Sequence, residues 1–435
     1  KVAGDLQPLQ HATGEGRGEI IHTIIIDFHL FEPIETRLAN FSIMPPPNAH
    51  QTLSDIGART DRHPKPVALE RLAPRADEID ATGEYPQDMF ELLKSLELFL
   101  LPFPEEYGGT NSMLSSCIAV EEFSRICFNT AYILVVQWVP IGAIIEGGTQ
   151  AQRDKYLPPL ARGDARAAIS VTEPQSGSDV AGVVCRAKNV PGGYRLTGTK
   201  AWCTNASKSD FILVAARISR DDKERGGLNL FIVPTGAEGL EIGPKEKKAG
   251  GRGVPSHPLY LNDVFVPEED RLGEEGRGFK IVMQTFNASR PIVGARGVGL
   301  AQGALDKAVN FIKTREGFGQ PIIDFQGMRW MLADMATSIE AARNLVYRAA
   351  SEVDAGTTGN ELASLAAMSK LFATDVAMKV ATDAVQVYGS SGISDDFPIG
   401  RYMRDAKMLQ IVEGTNQIQR NIIGRLLVDA ARQEK

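Results

Sequence analysis

The 435-residue chain has little of what disulfide frameworks and metal sites require. Its four cysteines, Cys117, Cys127, Cys185 and Cys203, are widely separated, and none forms a CxxC pair. Five of the six histidines lie within the first 63 residues, so His257 alone is left for the remainder. We therefore expect a reducing, intracellular setting, no histidine-rich metal site, and a carboxylate as any catalytic base in the main body.

The chain also lacks a long cluster of basic residues and a long apolar run. Its formal net charge of -7 and its pI near 5.6 would repel a phosphate backbone, so nucleic acid is not expected as a partner. Charged residues and histidines interrupt the apolar stretch 20–31, which is shorter than the roughly 20 residues of a membrane span. Because no Arg-rich leader is recognised, we expect a bacterial cytoplasmic location, or the mitochondrial matrix in a eukaryote.

Hydrophobic periodicity divides the chain into four regions. Residues 1–66 carry seven prolines and no sustained period, which indicates a divergent N-terminal segment. Residues 67–165 have helical apolar stripes and predict an α-helical domain. Short β-rich runs at 168–172, 194–197, 211–218, 228–234 and 259–267 predict a middle β domain over 166–275, an antiparallel barrel or sandwich.

Helical periodicity returns for residues 276–435. Glycines at 317, 356 and 389 separate the predicted helices, and the last of these begins near Asn416. The predicted fold class is therefore α+β, in the order α domain, β domain, α bundle.

Several short motifs follow one another in a specific order. They read SVTEPQSGSD at 170–179, GTKAWCTN at 198–205, MRDAK at 403–407 and EGTNQIQR at 413–420, with Arg290 and Arg315 between the second and the third. Over residues 72–425 this order closely resembles the FAD-dependent acyl-CoA dehydrogenase family. The resemblance implies an α-helical domain, a β domain and a C-terminal four-helix bundle, assembled as a homotetramer built from dimers.

The resemblance also implies a reaction and its base. Removing the weakly acidic α-proton of an acyl-CoA needs a base in hydrogen-bond reach, and a flavin accepts the hydride from the β-carbon. The family's base corresponds to Glu413, whose pKa burial would raise. Some branches carry the base at the position of Ser289, which cannot serve as one. Glu173 precedes Pro174 in a turn and is interpreted as structural.

By resemblance, FAD contacts two motifs, an arginine-bearing segment and a Gln-Gly loop. The FAD-binding residues are predicted to be Val171, Thr172, Ser178, Trp202, Cys203, Thr204, Arg315, Phe318, Gln326, Gln386, Val387, Tyr388, Gly389, Ser390, Thr415 and Gln417. Gly317 replaces a hydroxyl residue that is often found there. No GxGxxG motif follows a strand and opens a helix, so a Rossmann NAD site is not supported.

The residues matched to acyl-CoA binding are Ser178, Asn287, Arg290, Gly414 and Arg425. A bulky Trp138 would shorten the acyl pocket and Val412 would widen it near the reacting carbons, which favours short, branched or otherwise non-linear acyl groups. Electron-transfer flavoprotein is the expected electron acceptor. An acyl-CoA oxidase, a flavin monooxygenase and a non-catalytic flavin-binding protein are alternatives on the same fold.

Overall fold

The computed structural model describes residues 71–219 and 227–433. The prediction of a divergent segment over residues 1–66 lies outside these residues. Five α-helices open the described part: α1 Ala73–Thr82, α2 Gln87–Ser95, α3 Met113–Ile126, α4 Phe128–Gly147 and α5 Gln150–Ala161. The start of α3 is capped by Ser112, whose side chain accepts from the Ser115 N–H, and α5 begins with a Thr149–Gln152 capping box.

The α4 helix is apolar on nearly every face and packs against α3, the first strand and the long helix of the C-terminal bundle. Of the helices in the described ranges, it alone is long and apolar enough to cross a membrane by length and composition. However, 83% of its most apolar window is buried inside the fold. Such all-round burial is typical of a central core helix.

The middle region forms one eight-stranded sheet. Its strands are β1 Ala167–Ser170, β2 Arg186–Val190, β3 Gly193–Thr204, β4 Phe211–Ser219, β5 Leu228–Pro234, β6 Leu240–Ile242, β7 Ser256–Pro267 and β8 Arg271–Leu272. The strand order is β6-β7-β3-β2-β4-β5-β8, and β1 pairs with β4. The five strands predicted from the sequence are present. Most pairings are antiparallel as expected, but β1–β4 and β2–β4 are parallel, since long connections return the chain in the same direction.

A β-bulge interrupts the pairing of β3 with β7 between Lys200 and Cys203. Pro258 lies between the β7 partners of these two residues and has no N–H to donate to the ladder. At the bulge Trp202 adopts a left-handed backbone conformation with φ of 59°, and its side chain is 55% exposed. The irregularity thus presents the Trp202 ring at the surface of the sheet.

Five helices complete the fold: α6 Gly278–Thr314, α7 Gln326–Asp354, α8 Gly359–Tyr388, α9 Ile399–Leu409 and α10 Asn416–Gln433. A small hairpin of β9 Glu316–Gly317 and β10 Gln320–Pro321 joins α6 to α7. The bundle is formed by α6, α7 and α8, with α10 packed on α8. Because α6 also packs against α3 and α4, one face of this helix meets the N-terminal helices.

Candidate active site

The start of the EGTNQIQR motif forms a tight turn between α9 and α10. Glu413 and Gly414 both have a left-handed backbone, with φ of 53° and 89°. For a residue with a side chain this conformation costs about 1–2 kcal/mol, so the surroundings must hold it in place. The buried Lys370 ammonium donates to the Gly414 carbonyl oxygen at 2.9 Å and to Asn416 Oδ1 at 2.8 Å. These two hydrogen bonds therefore hold the turn against α8.

Gly414 is required by its own turn. A Cβ atom at this position would lie 2.8 Å from Nε2 of Gln419, which donates to the Gly414 carbonyl oxygen at 2.8 Å. The family resemblance matched this glycine to acyl-CoA binding. The structure adds a reason that is independent of any ligand, because a side chain would disrupt both the backbone conformation and this hydrogen bond.

The Glu413 carboxyl group lies against α6. Its Oε2 accepts a 2.6 Å hydrogen bond from Ser289 Oγ. Burial raises the pKa of Glu413, whereas the Ser289 hydroxyl and the cations of Arg296, Lys370 and Arg290 act in the opposite direction without cancelling the rise. The direction is the one expected from the sequence, and it brings a carboxylate closer to the pKa range of an effective base near neutral pH.

Two of the predicted substrate residues meet on α6. Arg290 is 3% exposed and donates through Nη1 to Asn287 Oδ1 at 2.5 Å. Burial lowers the pKa of Arg290 to about 10, with the Glu413 carboxylate opposing the change. Both groups therefore lie on the helix that also carries Ser289, close to Glu413.

Sequence reasoning missed two residues that line this region. Tyr132 on α4 places its hydroxyl 3.4 Å from Thr204 Oγ1, which links the GTKAWCTN motif to the helices around Glu413. The guanidinium of Arg296 stacks on the ring of Tyr132 at 4.2 Å. Arg296 could have been noticed as the single charge in the apolar run 291–305, but Tyr132 has no motif.

The two predicted flavin motifs lie side by side. The Ala201 N–H donates to the Thr172 carbonyl oxygen at 2.9 Å, joining the strand β3 to the segment after β1. Thr172 and Thr204 are partly buried, while Ser178 and Trp202 are exposed. Val171 and Cys203 are buried, and the Cys203 thiol lies 3.9 Å from the Ile169 carbonyl oxygen.

The thiol of Cys203 is part of the core. Burial raises its pKa to about 12, so it stays protonated at neutral pH. Cys203 can therefore contact a ligand at this edge of the sheet only through its backbone. By contrast, the hydroxyls of Thr172 and Thr204 and the ring of Trp202 form a set of donors and an aromatic face suited to a planar, hydrogen-bonding group such as an isoalloxazine.

Glu173 has a structural position, as the sequence suggested. Its carboxylate forms a 2.7 Å ion pair with Lys200, and both side chains are almost completely buried. It also accepts from the backbone N–H groups of Val184 and Cys185 at 2.8 and 2.9 Å. The pair fixes the loop between β1 and β2 to β3, beneath the two motifs.

The remaining predicted cofactor residues lie on the C-terminal helices. Six are exposed on the single chain, and these are Arg315, Phe318, Gln326, Gln386, Gly389 and Ser390. Val387 and Tyr388 are buried, and the Tyr388 ring stacks on Phe311 with its hydroxyl bonded to the Lys307 carbonyl oxygen. The side chain of Tyr388 therefore serves the core, so only its backbone remains free to serve a ligand.

Thr415 and Gln417 follow Glu413, and Arg425 lies two turns further along α10. Thr415 Oγ1 accepts from the Ile418 N–H at 3.3 Å and so caps the start of this helix. Gln417 and Arg425 are exposed. Across the described ranges, no group of three or more His, Cys, Asp or Glu side chains is arranged to hold a metal ion.

The chain matches three family models in succession. They are the acyl-CoA dehydrogenase N-terminal domain over residues 65–164, the middle domain over 168–264 and the C-terminal domain over 276–428. Cyclohexane-1-carbonyl-CoA dehydrogenase of Geobacter metallireducens is 41% identical over 84% of this chain and 95% of its own length.

Solved structures give the same result. Butyryl-CoA dehydrogenase from Megasphaera elsdenii has a TM-score of 0.81 at 37% identity, covering 87% of this chain and 98% of its own. A chain in the structure of the electron transferring flavoprotein of Acidaminococcus fermentans also scores 0.81 at 38% identity, covering 88% and 99%. The FAD complex of PigA scores 0.79 at 27% identity, covering 86% and 97%. With all three domain models matched in order and a carboxylate held at the motif's turn, this chain belongs to the acyl-CoA dehydrogenase family.

Proposed function

We propose that the chain oxidises an acyl-CoA thioester to the trans-2-enoyl-CoA, with Glu413 removing the α-proton. The reaction class is that of an FAD-dependent oxidoreductase acting on CH–CH groups. The observation that carries the proposal is the half-buried carboxyl group of Glu413, held on a strained turn and hydrogen-bonded to Ser289 at 2.6 Å. Strained backbone and a perturbed carboxyl together are typical of a catalytic residue.

The chain's own groups perform the proton transfer. The ionised Glu413 takes the α-proton, and its raised pKa makes it a stronger base than an exposed glutamate. Ser289 orients the carboxylate through its hydroxyl. As negative charge develops on the thioester oxygen, the backbone N–H of Glu413 donates to that oxygen. Both steps depend on the left-handed turn that Lys370 fastens.

FAD, when bound, supplies the acceptor for the hydride that leaves the β-carbon. The Thr172 and Thr204 hydroxyls and the exposed Trp202 ring would hold its isoalloxazine, with Val171, Cys203 and Ser178 beside them. The rest of the FAD molecule would be held by the residues at 315, 318, 326, 386–390, 415 and 417. The exposure of seven of these residues on a single chain, Arg315, Phe318, Gln326, Gln386, Gly389, Ser390 and Gln417, fits a site completed by a second subunit of a homotetramer.

We propose that the substrate carries a short, branched or cyclic acyl group, a preference supported by Trp138 and Val412. Trp138 is 4% exposed and its indole N–H is bonded to the Phe99 carbonyl oxygen at 3.0 Å, so this bulky ring is fixed in place. Val412, beside the base, is smaller than an aromatic residue and leaves room near the reacting carbons. The similarity to a relative named for a cyclic acyl-CoA agrees with this preference.

Electron-transfer flavoprotein is the proposed electron acceptor. The resemblance of this chain to one in the Acidaminococcus fermentans electron transferring flavoprotein structure supports this choice. An acyl-CoA oxidase would instead pass its electrons to oxygen. The two possibilities differ in what restores the oxidised flavin.

Anaerobic titration of the purified holoenzyme with short, branched, cyclic and long acyl-CoAs tests the reaction. Substrate should bleach the flavin absorbance near ~450 nm. Glu413→Gln should slow this bleaching by about 100- to 10,000-fold, because it removes a general base. The matched control is Glu105→Gln, which alters an exposed glutamate on a surface turn.

The outcomes separate the alternatives. Bleaching that persists in Glu413→Gln would exclude Glu413 as the base. Bound flavin that no thioester reduces would overturn the dehydrogenase proposal and favour a non-catalytic protein or a monooxygenase. Rapid reoxidation by dissolved oxygen, without electron-transfer flavoprotein, would identify an oxidase.

A further inference from the structure

Arg296 is a buried cation without a hydrogen-bond partner. It lies in α6 with 0% exposure, and none of Nε, Nη1 and Nη2 makes a hydrogen bond of acceptable geometry to the residues that the structure describes. A guanidinium has five N–H donors and stays protonated in proteins, so it cannot avoid the cost of burial by losing its charge. Such a group normally has an anion beside it.

Two aromatic rings of α4 hold the guanidinium in place. Its Cζ lies 4.7 Å from the centre of the Phe128 ring and 4.2 Å from that of Tyr132. Cation–π contacts stabilise a desolvated cation, but they leave its N–H groups in the ring plane unsatisfied. The stack therefore positions a planar set of donors without using them.

The position of Arg296 on α6 directs it toward the reacting centre. Ser289, Val293 and Arg296 are spaced i, i+4 and i+7, which places them on one face of the helix. Arg296 is thus about 10 Å along the helix from the residue that contacts Glu413. Long side chains of a helix lean toward its N-terminus, so the guanidinium extends back toward the base. The proximity is sufficient for Glu413 to favour the charged form of Arg296 electrostatically.

The charged groups around Arg296 do not form an ion pair with its guanidinium. Asp405 on α9 is fully buried and influences Arg296, but its Oδ1 accepts from the Gly251 N–H at 2.7 Å, and no hydrogen bond joins it to the guanidinium. Lys248, before β7, also interacts with Arg296, but burial lowers the pKa of Lys248 to about 7. Arg290 and Lys370 lie near Glu413, and burial lowers the pKa of Lys370 to about 7. Among the described residues, the guanidinium of Arg296 therefore has no hydrogen-bonded anion.

We propose that the acyl group of the substrate carries a carboxylate, which binds the guanidinium of Arg296 while Glu413 faces the α-carbon. This inference rests on the proposed function and specifies its substrate as a short dicarboxylic monothioester of CoA. A carboxylate matches the planar fork of an arginine and would satisfy two of its N–H groups at once. The aromatic rings would exclude water from this pair, which strengthens it.

The length of the acyl group follows from the same geometry. An arginine side chain that leans back from a point about 10 Å along α6 leaves a gap of only a few bonds to the base. Four to six acyl carbons, an estimate from these dimensions, would bridge it. The fixed Trp138 also argues against longer chains.

Steady-state kinetics of the holoenzyme on matched thioesters test the proposal. We would compare succinyl-, glutaryl- and adipyl-CoA with butyryl-, pentanoyl- and hexanoyl-CoA, which lack the terminal charge. The wild-type kcat/KM should be at least about 100-fold higher for the best dicarboxylic thioester than for its neutral counterpart. Arg296→Gln should lower the ratio of the dicarboxylic value to the neutral value by about 100-fold, because any change in the pKa of Glu413 acts on both thioesters alike, while Arg296→Lys should retain part of the preference.

Binding provides a readout that does not require turnover. In holoenzyme carrying Glu413→Gln, calorimetry should show tighter binding of glutaryl-CoA than of pentanoyl-CoA, and adding Arg296→Gln should abolish the difference. A wild-type enzyme that uses neutral thioesters as well as or better than charged ones would refute the carboxylate but preserve the dehydrogenase. If no thioester reduces the flavin, the proposed function itself fails. The wild-type panel decides the question even if the Arg296 variants do not fold.

Discussion

Ser289 Oγ on α6 donates a 2.6 Å hydrogen bond to Glu413 Oε2 across 124 residues of sequence. A serine at this position cannot be a base, but its hydroxyl selects one orientation of the carboxyl group of Glu413, the proposed base. Because the bond favours the ionised carboxylate, it lowers the pKa of Glu413 and so limits the rise that burial causes. Ser289 is therefore a positioning residue that also sets the pH range in which the base is charged.

The first prediction concerns Ser289→Ala. Loss of the hydrogen bond should raise the pKa of Glu413 further, so the acidic limb of the kcat/KM profile should move to higher pH. On that limb kcat/KM should fall by about 10-fold, the size expected for a hydrogen bond to a charged group. The rate of flavin reduction, followed in the pre-steady state across pH, measures this shift. Ser369→Ala is the control, because its buried hydroxyl bonds only within its own helix, to the Ala366 carbonyl oxygen. An unshifted profile in Ser289→Ala would contradict the assignment.

The second prediction compares two glycines of the same region. Gly414→Ala should destabilise the protein by about 1–3 kcal/mol and reduce activity, since φ is 89° and the new Cβ would lie 2.8 Å from Gln419 Nε2. Gly424 lies in α10, and no atom lies within 4 Å of the Cβ that Gly424→Ala would add. It should be neutral or stabilising by up to about 1 kcal/mol. Chemical denaturation measures both. Equal effects at the two positions would show that the turn tolerates a side chain.

The order of the layers could be predicted from periodicity, because long amphipathic helices and alternating strands leave strong patterns. In the region 276–435, where helical periodicity was recognised, the faces containing Leu300, Ala304 and Ala308 or Met335 and Ile339 are buried. The strand Arg186–Val190 was missed because it is short and polar, and one of its five residues is buried. Its formation depends on pairing with β3 and β4, which local sequence does not encode.

The candidate site was predictable only where a motif marks it. Glu413 and Trp202 belong to compact motifs, whereas Lys370, Tyr132 and Arg296 are isolated residues within helices. A lysine in a helix is usually solvated, and nothing local shows that the ammonium of Lys370 reaches the Gly414 carbonyl oxygen 44 residues away. Such contacts are set by helix packing, so they became visible only in three dimensions.

The third prediction concerns the buried Glu173–Lys200 pair. Glu173→Gln should destabilise the protein by about 3–5 kcal/mol, because it leaves the Lys200 ammonium buried without its counter-ion. Asp383→Asn breaks the exposed pair with Lys379 and should cost less than about 1 kcal/mol. Urea unfolding of both variants makes the comparison. A small loss for Glu173→Gln would show that the pair is not needed to fix the two motifs.

The same pair has a pH signature. Burial acts to raise the pKa of Glu173, but Lys200 and the two backbone N–H groups outweigh it, so the net pKa is lowered. A lowered pKa means that the ionised form of Glu173 is more stable in the folded protein than in the unfolded chain. The stabilisation is present above the carboxyl's unfolded pKa and is lost as the pH falls through the folded value. Wild-type protein should therefore lose stability in acid faster than Glu173→Gln does.

The last prediction is that the catalytic base destabilises its own fold. The pKa of Glu413 is raised by burial, so the folded state disfavours its ionised form. Below the unfolded pKa the group is protonated in both states and costs nothing; as the pH rises through the folded pKa, the unfolded chain ionises more readily and stability falls. Glu413→Gln should therefore raise the Tm of the substrate-free holoenzyme by about 1–3 °C at pH 7, but not at pH 4. Calorimetry at the two pH values checks this. A lower Tm at pH 7 would mean that Arg290, Arg296 and Lys370 need the Glu413 carboxylate more than burial penalises it, and that the pocket holds too much positive charge without it.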